Sequence, residues 1–288
     1  GQPVVNNILS PAPSTREAGN TFQYAGIRGA PMTTTDPTGS AQAPAALDEE
    51  TISAYRRDGV VRIKNVIGRD EAARFAAAAT EWTAGADDLS KESKIFNQYV
   101  NVWQQNDVLR ELTLDPRLAA AATALAGVPL RIWHDQLLIK PPHNGAATEF
   151  HQDAPYWPHA GSRASLSAWV ALVDVPVEKG CMTFIPGSQQ HQDLRSQDLS
   201  DRDDMFRAAP DLRWEERLTI PLQAGDCTFH NAYLAHSATP NLTDDPRIAH
   251  VAIYIDAAAT FTGGGHVCTD GLELTVGAPL DHELFPTV

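Results

Sequence analysis

The stretch of sequence that decides the fold is Phe-His-Gln-Asp-Ala-Pro-Tyr-Trp, residues 150–157. Residues two apart in a β-strand point to the same face, so His151 and Asp153 can present an imidazole and a carboxylate to one ion from a single strand end. Two imidazoles and one carboxylate hold non-haem Fe(II) while leaving positions open for a co-substrate and O₂. The pair alone is a weak motif, because two exposed polar side chains also produce it.

The third ligand has to come from another part of the chain. We predict His236, because it follows a strand-like run at 233–235 and precedes the turn Thr-Pro-Asn at 239–241. His159 and His230 are alternatives for the same role. The pattern therefore predicts a metal site built from two distant parts of the chain.

Helices are expected before residue 128 and strands after it. Asp48 is an N-cap candidate for a helix that stops at Gly59, residues 70–83 have apolar side chains at helical spacing, and a third helix runs from the cap at Asp115 to Gly127. A strand is expected at 60–67. Short β-rich runs predict further strands at 130–139, 147–152, 165–175, 182–185, 218–222, 226–229 and 248–255. This order indicates an α+β chain whose second part is a sandwich or barrel.

Charge and composition exclude several classes of partner. The chain has 288 residues, 22 of them basic and 36 acidic, and a formal net charge of −14. Nucleic acids and anionic membrane surfaces are disfavoured, because both are bound through Lys and Arg. No apolar run approaches the roughly 18 residues of a membrane span, and the first residues lack the pattern of a secretory signal, so we expect a cytoplasmic protein. The three cysteines, without a CxxC pair, are expected as small core residues.

Residues 1–45 differ in composition from the rest. They are rich in Pro, Ala, Gly, Ser and Thr and have no periodic apolar pattern. We expect an arm that lies against the rest of its own chain or against a neighbouring subunit. In the second case the arm would support a homodimer. The remaining residues, 46–288, are expected to form one domain.

The chain resembles the phytanoyl-CoA dioxygenase family of Fe(II)/2-oxoglutarate-dependent oxygenases. The likeness runs in order from about residue 48 to 256. It is carried by Leu-Ile-Lys-Pro-Pro at 138–142, the stretch at 150–157, Ala-Trp-Val-Ala-Leu at 168–172, Gly-Cys-Met-Thr-Phe-Ile-Pro-Gly-Ser at 180–188, and Gly225-Asp226 leading to His236 and Arg247.

The resemblance implies a double-stranded β-helix (a jelly roll, as in cupins) flanked by helices, with Fe(II) held by His151, Asp153 and His236. It implies use of 2-oxoglutarate and O₂, release of succinate and CO₂, and hydroxylation or another oxidation of an unactivated C–H bond in a small organic metabolite. Related halogenases leave the carboxylate position empty for chloride. Asp153 is present, so hydroxylation is favoured over halogenation.

Arg247 matches the family position that binds the second carboxylate of 2-oxoglutarate. It alternates with Ala249 and Val251 on one strand face, an unusual place for a guanidinium unless it has a buried anion, which it binds well as a bidentate partner. An exposed Arg on an edge strand is the alternative. Trp169 matches a family position that lines the co-substrate pocket, and a plain core tryptophan also fits there.

Further co-substrate contacts are expected beside these residues. Gln136 and Lys140 lie on the strand before the His-x-Asp strand and are candidates to face the same cavity. Many relatives carry a hydroxyl side chain two residues after the distal His, where this chain has Ala238. Ser237 or Thr239 is the candidate replacement.

Substrate contacts are expected from two places. Tyr156 and Trp157 are candidates for the substrate wall, with core packing as the alternative. The polar stretch from 191 to 217 is expected as a lid or as a solvated loop, and if it is a lid, Arg195 or Arg207 could grip a substrate carboxylate. The competing functions are a non-catalytic jelly-roll binding protein and a cupin-type metalloenzyme that does not use 2-oxoglutarate. A buried Arg247 would argue against both.

Overall fold

The structure is a computed structural model that describes residues 47–85 and 95–288. The expected arm at 1–45 lies outside the described residues. Helices occupy the first part, as predicted, and one more lies in the later insertion. They are α1 (Glu49–Asp58), α2 (Arg69–Ala84), α3 (Asp107–Thr113), α4 (Pro116–Ala126) and α5 (Asp204–Ala208). None of the helices in these two ranges is long and apolar enough to cross a bilayer.

The predicted helix ends are confirmed by their hydrogen bonds. The Asp48 carboxylate accepts the backbone N–H of Thr51 at 2.7 Å, and α1 ends at Gly59, whose φ of 78° is a left-handed conformation that glycine adopts at little cost. At α4 the carboxylate of Asp115 accepts the backbone N–H of Arg117 at 2.8 Å. Local sequence signals therefore fix where these two helices begin and end.

The strands pair into two larger antiparallel sheets and one small one. In chain order they are β1 (Val60–Ile63), β2 (Asn97–Val100), β3 (Leu130–Lys140), β4 (Thr148–His151), β5 (His159–Ala160), β6 (Leu166–Ala171), β7 (Met182–Phe184), β8 (Leu218–Ile220), β9 (Cys227–Asn231), β10 (His236–Ala238), β11 (Arg247–Asp256) and β12 (Thr260–Phe261). The first sheet has the order β1-β9-β6-β11-β3-β2, the second β4-β10-β7-β8, and the third β12-β5.

The two larger sheets enclose one apolar core, and helices cover the outside of the larger sheet. Trp169 and Val251 of the six-stranded sheet share a buried cluster with Met182 and Phe184 of the four-stranded sheet. A separate cluster joins helical side chains such as Phe75, Leu109 and Leu118 to Leu137 and Tyr254. The architecture is α+β with antiparallel sheets, as expected.

Several boundaries differ from the sequence prediction for local reasons. The strand expected at 60–67 ends at Ile63, because Asn65 adopts a left-handed φ of 49° and its N–H donates to the Asp226 carboxylate at 3.0 Å. Strand β2 and helix α3 were not predicted. The strand expected at 147–152 ends at His151, so Asp153 lies beyond it in a helical conformation (φ −78°, ψ −43°).

Candidate metal centre and co-substrate pocket

The three predicted ligands converge where β4 and β10 pair. His151 ends β4, His236 begins β10, and the two residues face each other in register. The Nε2 atoms of both histidines lie 3.7 Å from Oδ1 of Asp153. Candidate ligand atoms of all three residues lie within 4.8 Å of one another. Asp153 lies in a turn after β4, where its backbone N–H donates to the carbonyl of Ala232 at 3.0 Å. The sequence had instead suggested that His151 and Asp153 both lie at the end of one strand.

Hydrogen bonds on the far side of each imidazole fix its tautomer. Nδ1 of His151 lies 2.8 Å from the carbonyl oxygen of Glu149, and Nδ1 of His236 lies 2.9 Å from that of Leu234. A carbonyl only accepts, so both Nδ1 atoms carry the proton. Each Nε2 then directs a lone pair towards Asp153, which is the arrangement that metal-binding histidines have in proteins.

Electrostatics favour the protonation states that bind a cation. Burial, followed by the charge of His151, lowers the pKa of His236 to about 3. Burial by itself would raise the pKa of Asp153. The nearby charge of His236 and the hydrogen bond with His230 have a larger, opposite effect, so the pKa of Asp153 is lowered from its ordinary value. At neutral pH the site therefore presents neutral imidazoles and an ionised carboxylate, which are the metal-binding forms.

His230 lies behind the carboxylate. Its Nε2 is 3.6 Å from Oδ2 of Asp153, and its ring centroid is 4.7 Å from that of His236. The Ser167 hydroxyl donates to the same Oδ2 at 3.2 Å. His230, an alternative third ligand by sequence, thus faces the oxygen turned away from the other two ligands and orients the carboxylate. His159, the other alternative, packs against Trp157 with ring centroids 5.7 Å apart.

A second buried group, formed by His134, His266 and Cys268, also has its potential ligand atoms within 4.8 Å. Here the hydrogen bonds argue against an ion. The backbone N–H of Cys268 donates to Nδ1 of His266 at 3.1 Å, so the neutral ring carries its proton on Nε2. That nitrogen has no lone pair for a metal. Of the two groups, the one with Asp153 fits iron.

Arg247 is a buried cation that lacks a partner in the described parts of the chain. Its side chain begins β11 and lies in the core with the guanidinium carbon 5.3 Å from the ring centroid of Trp169. The residue is 2% exposed, and Nε has no hydrogen-bond acceptor among residues 47–85 and 95–288. Burial lowers the pKa of the guanidinium to about 9, so it remains charged at neutral pH. A buried charge of this kind needs an anion that the described residues do not supply.

Lys140 and Thr239, expected to contact the co-substrate, do not reach the cavity wall. Lys140 faces Arg247 in register, but its Nζ donates to the carbonyl of Ala146 at 2.9 Å. Burial and the charge of Arg247 lower the pKa of Lys140 to about 7. The Thr239 hydroxyl donates to the carbonyl of Val177 at 2.7 Å.

A cavity connects the metal ligands to Arg247. Of the residues expected from sequence, its wall includes Gln136, Tyr156, Trp157, Trp169 and Ser237. The wall residues that sequence analysis missed include Gln98, Ser167, Leu199 and, as a wall residue, His230. Only a strand assignment at 97–100 would have brought Gln98 into consideration.

Arg195 and Arg207 are not brought to the cavity. Both guanidinium groups bind the Asp204 carboxylate, at 2.6 and 2.9 Å. The insertion at 191–217 therefore uses these arginines to hold its own conformation. It still contributes Leu199 to the cavity wall, and the carbonyl of Leu199 accepts the N–H of Glu149 on β4 at 3.0 Å.

Comparison with known proteins decides the family. The family model for phytanoyl-CoA dioxygenase (PhyH) matches residues 55–249. The chain belongs to the phytanoyl-CoA dioxygenase family. Among curated relatives, phytanoyl-CoA dioxygenase domain-containing protein 1 of Rattus norvegicus is 27% identical over 55% of this chain and 56% of its own length. This match thus spans about half the length of that relative. Ectoine dioxygenase of Bordetella parapertussis is 24% identical over 73% of this chain and 75% of its own length.

Two solved structures are more similar in sequence. The non-haem α-ketoglutarate-dependent carbocyclase SnoK from nogalamycin biosynthesis is 35% identical, with a TM-score of 0.75, over 84% of this chain and 96% of its own. The epimerase SnoN, solved with Fe³⁺, α-ketoglutarate and nogalamycin RO, is 37% identical, with a TM-score of 0.71, over 83% and 97%. The family depends on Fe(II), 2-oxoglutarate and O₂, and the donor set of this chain fits that requirement.

Proposed function

We propose that this member of the family is an Fe(II)- and 2-oxoglutarate-dependent oxygenase that oxidises an unactivated C–H bond of a small organic molecule and releases succinate and CO₂. One observation carries the proposal. Two imidazoles and a carboxylate with free lone pairs face the same cavity as a buried guanidinium, for which the described residues supply no anion.

Each residue of the site has a definable task. Bound iron supplies the activation of O₂ and the oxidative decarboxylation of the co-substrate. His151, Asp153 and His236 hold it, and the Nδ1 hydrogen bonds to backbone carbonyls keep both imidazoles in place. Arg247 binds the distal carboxylate of 2-oxoglutarate through charge-assisted hydrogen bonds. The apolar wall around Trp169 excludes water from the reacting atoms.

The type of oxidation follows from the ligand set and from the relatives. Asp153 occupies the position that a halide would need, which supports hydroxylation or a related oxidation over halogenation. SnoK and SnoN, named as a carbocyclase and an epimerase, extend the outcomes to ring closure and inversion of a stereocentre. We place the substrate among natural-product intermediates for the same reason, and interpret the two facing sheets as the jelly roll of this family.

The test is the anaerobic complex with Fe(II) and 2-oxoglutarate. We expect a weak visible charge-transfer band in the native protein, and succinate when O₂ is admitted. The control variant Arg69→Ala removes an exposed ion pair with Asp174 and should keep both signals. Iron binding without the band would instead indicate a metalloprotein that does not use 2-oxoglutarate. Absence of both iron binding and the band would indicate a non-catalytic binding protein.

A further inference from the structure

The charge of the cavity wall restricts the substrate, provided that the proposed function is correct and the cavity is the active site. Asp153 and Arg247 are the wall residues with a charged side chain, and iron and 2-oxoglutarate neutralise them. No other Lys, Arg, Asp or Glu of the described ranges lines the cavity. A carboxylate or phosphate of the substrate would be desolvated there without a cation to compensate its charge, which is unfavourable.

The arginines of the neighbouring insertion do not change this conclusion. Arg195 and Arg207 bind Asp204, and Arg213 binds Asp203 at 2.9 Å. Arg217 donates to the carbonyl of Leu212 at 3.0 Å, and its guanidinium carbon lies 5.1 Å from the ring centroid of Phe150. Freeing one of these groups for an anionic substrate would break the contacts that shape the insertion.

Two carboxamides on the wall are free to bind an uncharged polar group. Gln98 of β2 lies opposite Leu138, and Gln136 of β3 lies opposite Val100, so the two side chains are diagonal neighbours, offset by two residues, and both line the cavity. No hydrogen bond joins either amide to another side chain or carbonyl of residues 47–85 and 95–288. Each offers one carbonyl acceptor and two N–H donors.

Aromatic and aliphatic side chains form much of the remaining wall. Tyr156 and Trp157 follow the ligand turn, and apolar surface is added by Phe96, which directly precedes β2, and by Leu199 of the insertion. The phenol of Tyr156 donates to the carbonyl of Gln197, so its ring is held in place as wall. Rigid aromatic walls of this kind favour planar rings, which stack in offset or edge-to-face geometry.

From these observations we infer that the substrate is an uncharged, mainly apolar ring compound whose carbonyl or hydroxyl group is bound by the carboxamides of Gln98 and Gln136. An acyl-CoA or another polyanion is the wrong class for this cavity. The specificity rests on Gln98 and Gln136 rather than on the arginines of the insertion.

The test compares 2-naphthamide with 2-naphthoate, two probes of equal shape that differ in charge. Equilibrium dialysis against the anaerobic protein loaded with Fe(II) and 2-oxoglutarate should give at least tenfold tighter binding of the amide. Equal or tighter binding of the carboxylate, or no binding of either probe at millimolar concentration, overturns the inference. The charge-transfer band of the same samples reports the proposed function independently, so the two failures are distinguishable.

Substitutions on the wall assign the contact to residues. Gln98→Leu and Gln136→Leu should each weaken 2-naphthamide binding about five- to tenfold and leave the affinity for 2-oxoglutarate within twofold. Gln98→Lys should reverse the preference towards 2-naphthoate, which loss of folding cannot imitate. If Gln136→Leu weakens 2-oxoglutarate instead, or if Gln98→Lys keeps the amide preference, the carboxamides do not select the substrate.

Discussion

Two groups of potential metal ligands lie in the part of the chain that the structure describes, and only one of them is suited to iron. The front group is His151, Asp153 and His236, and the rear group is His134, His266 and Cys268. Five of the six residues are at most 8% exposed, and Asp153 is the exception. Burial lowers the pKa of His134 to about 3 and that of His266 to about 4, much as it does for His236. Neither burial nor the pKa therefore separates the groups.

The difference lies in the far nitrogen of one imidazole, that of His266, because Nδ1 of His134 faces the carbonyl oxygen of Asp135 at 3.2 Å, as in the front group. In the front group both Nδ1 atoms donate to carbonyls, which leaves Nε2 as a base facing a carboxylate. In the rear group Nδ1 of His266 accepts a backbone N–H, which places the proton on Nε2. The rear rings pack around Trp133, whose ring centroid is 5.2 Å from that of His266. The front group is the better metal site because backbone acceptors lie behind both of its imidazoles, whereas the rear group has one behind His134 and a donor behind His266.

Removal of a front ligand should have the largest effect. We expect His236→Ala to lower the iron content from one ion per chain to near zero and to lower succinate formation by at least about 10³-fold, since iron supplies the redox chemistry. Elemental analysis and a succinate assay measure both.

The matched rear variant is Cys268→Ala. It should keep one iron per chain and lose less than about twofold in activity, because a small buried side chain is replaced by another of similar volume. The distinction between the groups is broken if Cys268→Ala loses as much iron as His236→Ala does.

A change at the far end of the front cavity should be smaller and separable from iron binding. Arg247→Met removes the charge that pairs with the distal carboxylate and keeps an apolar side chain next to Trp169. We expect 2-oxoglutarate affinity to fall about 100-fold, in keeping with about 1.5–3 kcal/mol for a charge-assisted hydrogen bond. Iron content should stay at the native value. Loss of iron together with 2-oxoglutarate affinity would show that Arg247 supports the fold rather than the co-substrate.

The smallest effect is expected next to the rear group, where His159 has two buried nitrogens without described partners. Burial, then the charge of His266, lowers the pKa of His159 to about 4, below the value of about 6.5 in an unfolded chain. The unfolded state therefore takes up a proton first as the pH falls, and the stability contributed by the neutral form is lost between about pH 6.5 and 4.

His159→Leu removes this titration. We expect the variant to be no less stable than the native protein at pH 7, because two unsatisfied polar atoms are lost. Its advantage in the free energy of unfolding should grow by about 2 kcal/mol between pH 7 and pH 5. Urea unfolding at both pH values measures it. If the difference in unfolding free energy between variant and native protein does not change with pH, His159 takes up its proton as readily in the folded protein as in the unfolded chain.

Much of the fold was predictable because its signals are local. The caps at Asp48 and Asp115 act on atoms within three residues, and the seven strands expected after residue 128 were each found, with shifted ends. Strand β2 was missed because its pairing with β3, some forty residues later in sequence, stabilises it more than its own composition does. Asp153 lies outside the strand predicted for it because its backbone N–H donates to the carbonyl of Ala232.

The sequence alone predicted the candidate ligand types, their order and the matching arginine, because side-chain chemistry and the family's motif spacing can be read directly from the chain. It did not decide among His159, His230 and His236, nor that Arg195 and Arg207 are neutralised by Asp204 while Arg247 has no such partner in the described chain. Those outcomes depend on which carbonyls, N–H groups and carboxylates meet across long separations in sequence. Only tertiary structure brings these atoms within hydrogen-bonding distance. The resulting hydrogen bonds determine which imidazole offers a lone pair and which cation lacks an anion among the described residues.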